Sequence, residues 1–420
     1  MNRPRRILFV PFGSEGDINP LLWLADLMAE KGHQPVFLIT PHYGPLPASR
    51  GFEWHPIGTE ADFQRLANDP SLWKPGLGSW KVARAMHESL HAYEAAFSRV
   101  KGTIDLVVVS SLGLAASALA ESRGIPRLML HMQPMVIRSH GDMPVLTEAS
   151  AWFRHAPAWL HDAAFLVVDG VLNRTMLPPL NRFRESLGLP RLADFYRDAL
   201  MRAEGIALLA PDWYAPPQPD WPQGLRQFDF PLVVKAPGSL PTELSKWLDA
   251  GESPVLWTHG SANMHLANAQ ALARSVTEEI GGRALLVGKV APSFDLPEDM
   301  FYCPHVPFED LLPRCRAIVH HGGIGTASKA IASGTPQLII PLAHDQHDNA
   351  ARIERLHAGL QSRPSRRDAA DKLRRLFASA EIREGVERCR KLVLQSPERA
   401  AGLATWACEL AGSGRDNVSS

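Results

Sequence analysis

Short, almost wholly apolar runs recur along this chain and alternate with segments of helical character. This pattern constrains the fold more than any other feature. A strand with no polar face must be covered on both sides, which parallel strands joined by helices achieve. Ile7–Pro11, Pro35–Thr40, Asp105–Ser110 and Arg127–His131 read as strands, with helices at Pro20–Lys31 and Leu114–Arg123. The rhythm resumes with strand Val255–His259, helix Ala267–Glu279, strand Ala284–Val287 and the run Ala317–Val319. A helix then follows the Gly322–Gly323 pair, stops at Gly334 and Pro336, and leads into strand Gln337–Ile340. A length of 420 residues exceeds one ordinary domain. The expected architecture is α/β, with two Rossmann-like domains facing a cleft. The first spans 1–222, ending in the proline-dense Trp213–Pro222, and a connection spans 223–250. The second spans 251–399, and a terminal helix and tail occupy 400–420.

Composition removes several classes of function. Basic and acidic side chains balance at 44 each, so nothing points to nucleic acid as a partner. Four cysteines show no C-x-x-C pair and no framework spacing, as expected for reduced thiols in a cytoplasmic protein. After the basic start, Ile7–Val10 is too short for a signal-peptide core, and no run approaches the roughly 20 apolar residues needed to span a bilayer. Eleven tryptophans and 16 phenylalanines leave room for a greasy binding surface and for weak peripheral contact with the inner membrane. A dinucleotide dehydrogenase shares this rhythm but fails at its site. The first turn reads Gly13-Ser-Glu-Gly16-Asp17 rather than G-x-G-x-x-G, and the second strand ends Ile39-Thr40-Pro41 without an acidic residue for a ribose.

The stretch His320–Asn349, HHGGIGTASKAIASGTPQLIIPLAHDQHDN, reads as a strand, a glycine loop and a helix start. Glycines let backbone approach an anion, and a helix N-terminus offers it N–H groups and partial positive charge. Imidazole can add a hydrogen bond; His321 reads as that donor rather than as a mere helix cap, while His320 serves either role. Thr326, and Ser261 in the Thr258–Ser261 loop, are further candidate phosphate contacts. No D-x-D carboxylate pair occurs, and His344 and His347 lack a third ligand, so a metal-free site is expected. The order H-G-G, G-T-P, D-Q-x-x-N resembles the donor signature of nucleotide-sugar glycosyltransferases of the B-type (GT-B) fold. The resemblance implies a nucleotide sugar as co-substrate, with no cofactor or metal. It also implies diphosphate contacts from His321, Gly322 and Gly323, sugar contacts from Asp345 and Gln346, and Val306 and Asn349 near the nucleotide. In this family the last helix crosses back to the first domain.

On the acceptor side, Asn19 and Pro20 suit a helix cap and first turn, which would leave Asp17 free to face the cleft. The family places a histidine or aspartate general base here, which implies Asp17 as base of an inverting transfer, with Glu15 its rival. Gln133, Trp152 and Trp159 are expected to line an apolar acceptor channel. The G-S-x-G-D turn, Asp69–Pro75, WYAPPQPDWP and Ala343–Gln346 most resemble rhamnosyltransferases of bacterial rhamnolipid synthesis, though Gln133 is followed by Pro134 and Met135 rather than a serine-containing turn, and His320-His321-Gly322-Gly323 stands where that branch has H-P-G-G. That branch implies dTDP-rhamnose and a lipophilic hydroxyalkanoyloxy-alkanoate. The alternatives are a UDP-glucose-dependent transferase for a phenolic or terpenoid alcohol and a non-catalytic partner subunit. The glutamate that reads both ribose hydroxyls in UDP-dependent members falls at Lys329, which cannot accept a hydrogen bond.

Overall fold

The computed structural model describes residues 3–69, 71, 77–232, 240–258, 267–395 and 397–413. Among these, the first domain holds strands β1 (Arg6–Val10), β2 (Gln34–Ile39), β3 (Glu53–Pro56), β4 (Leu106–Ser110), β5 (Arg127–His131), β6 (Gly205–Leu209) and β7 (Leu225–Phe228). They form one sheet in the order β3-β2-β1-β4-β5-β6-β7, with every pair parallel. The second domain holds β8 (Val255–Thr258), β9 (Ala284–Val287), β10 (Met300–Cys303), β11 (Ala317–His320), β12 (Gln337–Ile339) and β13 (Gly359–Gln361). Their order is β10-β9-β8-β11-β12-β13, again all parallel.

Each sheet is covered on both faces, which is why its strands are apolar throughout. Ile7 and Phe9 pack with Leu21 and Leu24 of the first helix, whereas Leu8 and Val10 pack with Met86 and Leu90 of helix Leu77–Arg99. In the second sheet Leu256, Leu285 and Ile318 share a layer with Leu244 and Leu248. The strand order reverses between β1 and β4 and again between β8 and β11. At such switch points the chain leaves neighbouring strands in opposite directions and opens a crevice at their C-terminal ends. The β1–helix loop and the β11 glycine loop lie at these two crevices.

Two boundaries differ from expectation. The first helix runs Glu15–Glu30, not from Pro20: Ser14 is its N-cap and Pro20 lies inside it. Ser14 takes the cap because Asp17, three residues on, returns a carboxylate to its backbone N–H and forms a capping box. The connection is also shorter than 223–250. Leu225–Phe228 is β7 of the first sheet, and helix Thr242–Asp249 packs into the second domain. The final helix, Pro397–Ser413, lies on the first domain, where Trp406 stacks on Phe228 at 5.8 Å and Arg5 donates to the Cys408 carbonyl at 2.9 Å.

Candidate functional site

The glycine loop is built by exclusion. Gly322 has φ +97°, and a Cβ there would lie 2.9 Å from both the Gln346 carbonyl and Ile339 Cγ2. Only glycine lets this turn pass under the Asp345 loop. At Gly323 a Cβ would meet the His321 ring at 2.6 Å, so the imidazole folds directly over the helix start. Helix Ile324–Ser333 begins there with Gly323 as its N-cap, which has no side chain to cap it, and Thr326 lies in its first turn. Backbone dipole and imidazole thus converge where an anion is best stabilised.

The two histidines divide the work. His320 is buried; its Nδ1 accepts from the Gly322 N–H at 3.1 Å, so Nε2 carries the proton and donates to Gln337 Oε1 at 2.9 Å. It is a strut for the turn. His321 is half-buried, with its ring over the Gly323 helix start, and of the two imidazoles it is the candidate for meeting an anion there.

Beyond β12, His344 adopts a left-handed conformation, φ 59°, immediately before Asp345. That strain aims the Asp345 loop toward the glycine turn. Gln346 is buried, and its Oε1 accepts from the Leu342 and Ala343 N–H groups at 2.8 and 3.1 Å, so this end of the amide shapes the loop. Asp345 Oδ2 accepts from Asn349 Nδ2 at 2.8 Å. Burial pushes the Asp345 carboxyl up to about 7; Asn349 pulls it down, while the charges of Asp17 and Asp348 push it further up. Val306 is buried in the core beside Cys303 and Ile318. Ser261 lies outside the described residues, and Thr258, the preceding strand end, is buried. Among the described residues no group of three or more His, Cys, Asp or Glu is placed to hold a metal ion.

Asp17 faces this loop from the other domain, but not as a free side chain. Its carboxylate accepts from the Ser14 N–H at 2.9 Å and from the Gln133 side chain. Gly13, at φ +128°, makes room: a Cβ there would lie 2.1 Å from Asp17 Oδ2. Burial pushes the Asp17 carboxyl up to about 6, against the pull of those hydrogen bonds. The result is an oriented carboxylate, ionised at neutral pH yet basic enough to take a proton. Glu15 instead reaches across to Lys289 at 3.4 Å, a contact that brings the loops after β1 and β9 together. Gln133 is therefore a partner of Asp17. The residue behind it, His131, is fully buried between the Ser111 hydroxyl and the Leu200 carbonyl, and burial lowers its pKa to about 4, which keeps the ring neutral.

Trp152 and Trp159 depart from expectation. They are 65% and 68% exposed, on an outward surface with Leu166, Val167 and Val171, rather than lining an enclosed channel. They lie in two successive helices, Glu148–His155 and Ala158–Thr175, and the spacing of aromatic residues cannot tell an inward face from an outward one. Sequence reasoning also missed Tyr214 and Arg352, which join the domains beside the site. Tyr214 Oη donates to Asn349 Oδ1 at 3.0 Å, and Arg352 pairs with Asp142 of the first domain at 2.6 Å and Asp348 of the second at 2.7 Å. An arginine four residues after an aspartate was the one available signal.

Residues 288–400 match the family model of the erythromycin biosynthesis protein CIII-like C-terminal domain, the stretch that contains the glycine turn and the Asp345 loop. The chain is 26% identical over 376 residues to the O-mycaminosyltylonolide 6-deoxyallosyltransferase of Streptomyces fradiae, covering 86% of this chain and 85% of that one. Its fold is similar to the glycotransferase of kitacinnamycin, with a TM-score of 0.71 and 19% identity, covering 98% of this chain and 100% of that one. It is also similar to the spinosyn rhamnosyltransferase SpnG complexed with thymidine diphosphate, with a TM-score of 0.65 and 18% identity, covering 96% and 99%.

Proposed function

We propose that this chain, whose two-domain fold is similar to that of B-type glycosyltransferases, is an inverting, metal-independent glycosyltransferase that moves a deoxyhexose, L-rhamnose in the first instance, from a dTDP-linked donor to a hydroxyl of a lipophilic acceptor. One observation carries the reading. An oriented carboxylate, Asp17, sits at the switch point of the first sheet, close enough to Asp345 for its charge to push that carboxyl up across the cleft. Asp17 takes the acceptor's hydroxyl proton as that oxygen bonds to the anomeric carbon. The carbon's bond to the diphosphate breaks on the opposite side, and its electron pair leaves on the nucleoside diphosphate. The helix terminus at Gly323 and the His321 imidazole stabilise that leaving charge, and Asp345 holds sugar hydroxyls.

A dTDP donor is favoured by Lys329, which stands at the ribose-reading position and is tied to Glu309 at 2.9 Å. The spinosyn rhamnosyltransferase with thymidine diphosphate is a structural neighbour that points the same way. A hydroxyalkanoyloxy-alkanoate is the first acceptor class. The relative named for O-mycaminosyltylonolide makes a macrolide alcohol the second. The outward apolar surface around Trp159 and Leu166 suits weak contact with a lipid surface, which co-sedimentation with phospholipid vesicles reads directly; no helix among the described residues is long and apolar enough to cross a membrane. The decisive experiment is a matrix of dTDP-rhamnose, dTDP-glucose and UDP-glucose against hydroxyacyl-lipid, macrolide, phenolic and terpenoid alcohols, read by mass spectrometry. Transfer from UDP-glucose alone would overturn the donor assignment. Turnover only after addition of a second protein would make this chain a partner subunit.

A further inference from the structure

We propose that Tyr214 is a positioning residue for the donor site, holding from the first domain a side chain that ties the glycine turn to Asp345. That side chain is Asn349, fully buried in helix Gln346–Arg355. Its Nδ2 donates both to the Gly322 carbonyl at 2.9 Å and to Asp345 Oδ2 at 2.8 Å. These are acceptors, so the amide orientation is set and Oδ1 must point the other way. There it receives the Tyr214 hydroxyl at 3.0 Å. The carboxamide is thereby saturated on both ends, and one end is supplied by the other domain.

The tyrosine itself has little freedom. It is fully buried, with its ring against Phe230 at 5.1 Å and Trp213 at 6.2 Å. Its backbone carbonyl accepts separately from Arg352 Nη1 at 3.3 Å. The hydroxyl can therefore be removed without releasing the main chain from the second domain. Without it, Asn349 Oδ1 is left buried and unpaired, and the side chain is drawn toward any arrangement that repairs this. Such an arrangement loosens its hold on the Gly322 carbonyl and on Asp345. The domain contact and the shape of the donor site are in this way one hydrogen-bonded unit, and the first domain contributes to donor binding without touching the donor.

The kinetic consequence rests on the nucleotide-sugar reading of the same site; the structural one does not, and the test separates them. Tyr214→Phe keeps the ring and removes only the hydroxyl. Hydrogen exchange by mass spectrometry should rise several-fold in peptides covering 321–326 and 342–346, with β11 and the first-domain sheet unchanged. Calorimetry with dTDP should show affinity reduced on the order of tenfold, while the KM for the acceptor stays at its wild-type value. Unchanged exchange in both loops overturns the proposal, and so does a rise spread over the whole chain, which would mark a general loss of stability. Wild-type protein that binds neither dTDP nor UDP would count against the nucleotide-sugar reading alone, since the exchange measurement still decides the role of Tyr214.

Discussion

Asp17 shows how one side chain serves fold and chemistry together. As third residue of the first helix it closes the capping box on Ser14, and the same bonds orient the carboxylate beside Gln133. Asp17→Asn preserves size but cannot take a proton, so kcat should fall by roughly 10²–10⁴ with dTDP affinity unchanged. In the wild type, activity must fall as pH drops through about 6, where burial has placed the protonation of this group. The sign for stability is opposite. Burial places the Asp17 and Asp345 carboxyls at about 6 and about 7 in the native state, above the ordinary aspartate value of 3.8 that holds in the unfolded chain, so the native state binds more protons between these values. Stability is fully present below about pH 4, is lost as pH rises to about 7, and is flat beyond. Asp345→Asn should flatten that fall in thermal melts taken from pH 4 to 8. A melt that instead steepened would place the buried charge elsewhere. The histidines separate in the same spirit. His320→Ala strands the Gly322 N–H and Gln337 Oε1 and should cost about 1–3 kcal/mol in denaturant unfolding. His321→Ala should leave unfolding unchanged and weaken dTDP binding in calorimetry.

Among the elements, the loop between β11 and its helix is the proposed donor site, and its geometry at Gly322 tolerates nothing larger than glycine. Gly322→Ala forces a side chain into φ +97° and against the Gln346 carbonyl, a conformational cost of order 1–3 kcal/mol before the clash is counted. The turn should shift and dTDP binding should be lost while circular dichroism keeps its α/β shape. Strands and glycine loop were legible in the sequence because their causes are local: an unbroken apolar run has to be covered, and a glycine pair before a helix has few other uses. The start of the first helix was not. Asn19-Pro20 and Ser14-x-x-Asp17 are both valid helix starts, and the contact between Asp17 and Gln133, more than a hundred residues away in sequence, lies outside any local rule. The expected acceptor channel at Trp152 and Trp159 failed for the same reason, since local sequence does not show which side of helix Ala158–Thr175 the rest of the chain covers.

For the whole molecule, the two domains are pinned by a buried cation. Arg352, 2% exposed, lies between Asp142 and Asp348, while Asp348 Oδ1 also accepts from the Val145 N–H at 3.1 Å. Arg352→Ala would leave the buried Asp348 carboxylate without its cation, while Asp142 keeps only Arg355 at 3.3 Å, a loss of about 3–5 kcal/mol. Chemical denaturation should then resolve two transitions, one for each domain, and small-angle scattering should report a larger radius. A single transition at the wild-type midpoint would show that other contacts hold the domains. By itself the sequence determined two parallel-sheet domains and a glycine turn before a helix, and it put forward Asp17, His321 and Asp345 as candidates, because periodicity, turn chemistry and motif spacing act over a few residues. Only the tertiary structure decided that His320 is a strut, that Gln133 orients Asp17, that Trp159 faces outward, and that Tyr214 and Arg352 join the domains at the site. Each depends on which distant segment supplies the neighbouring atom, and that is settled by packing the whole chain.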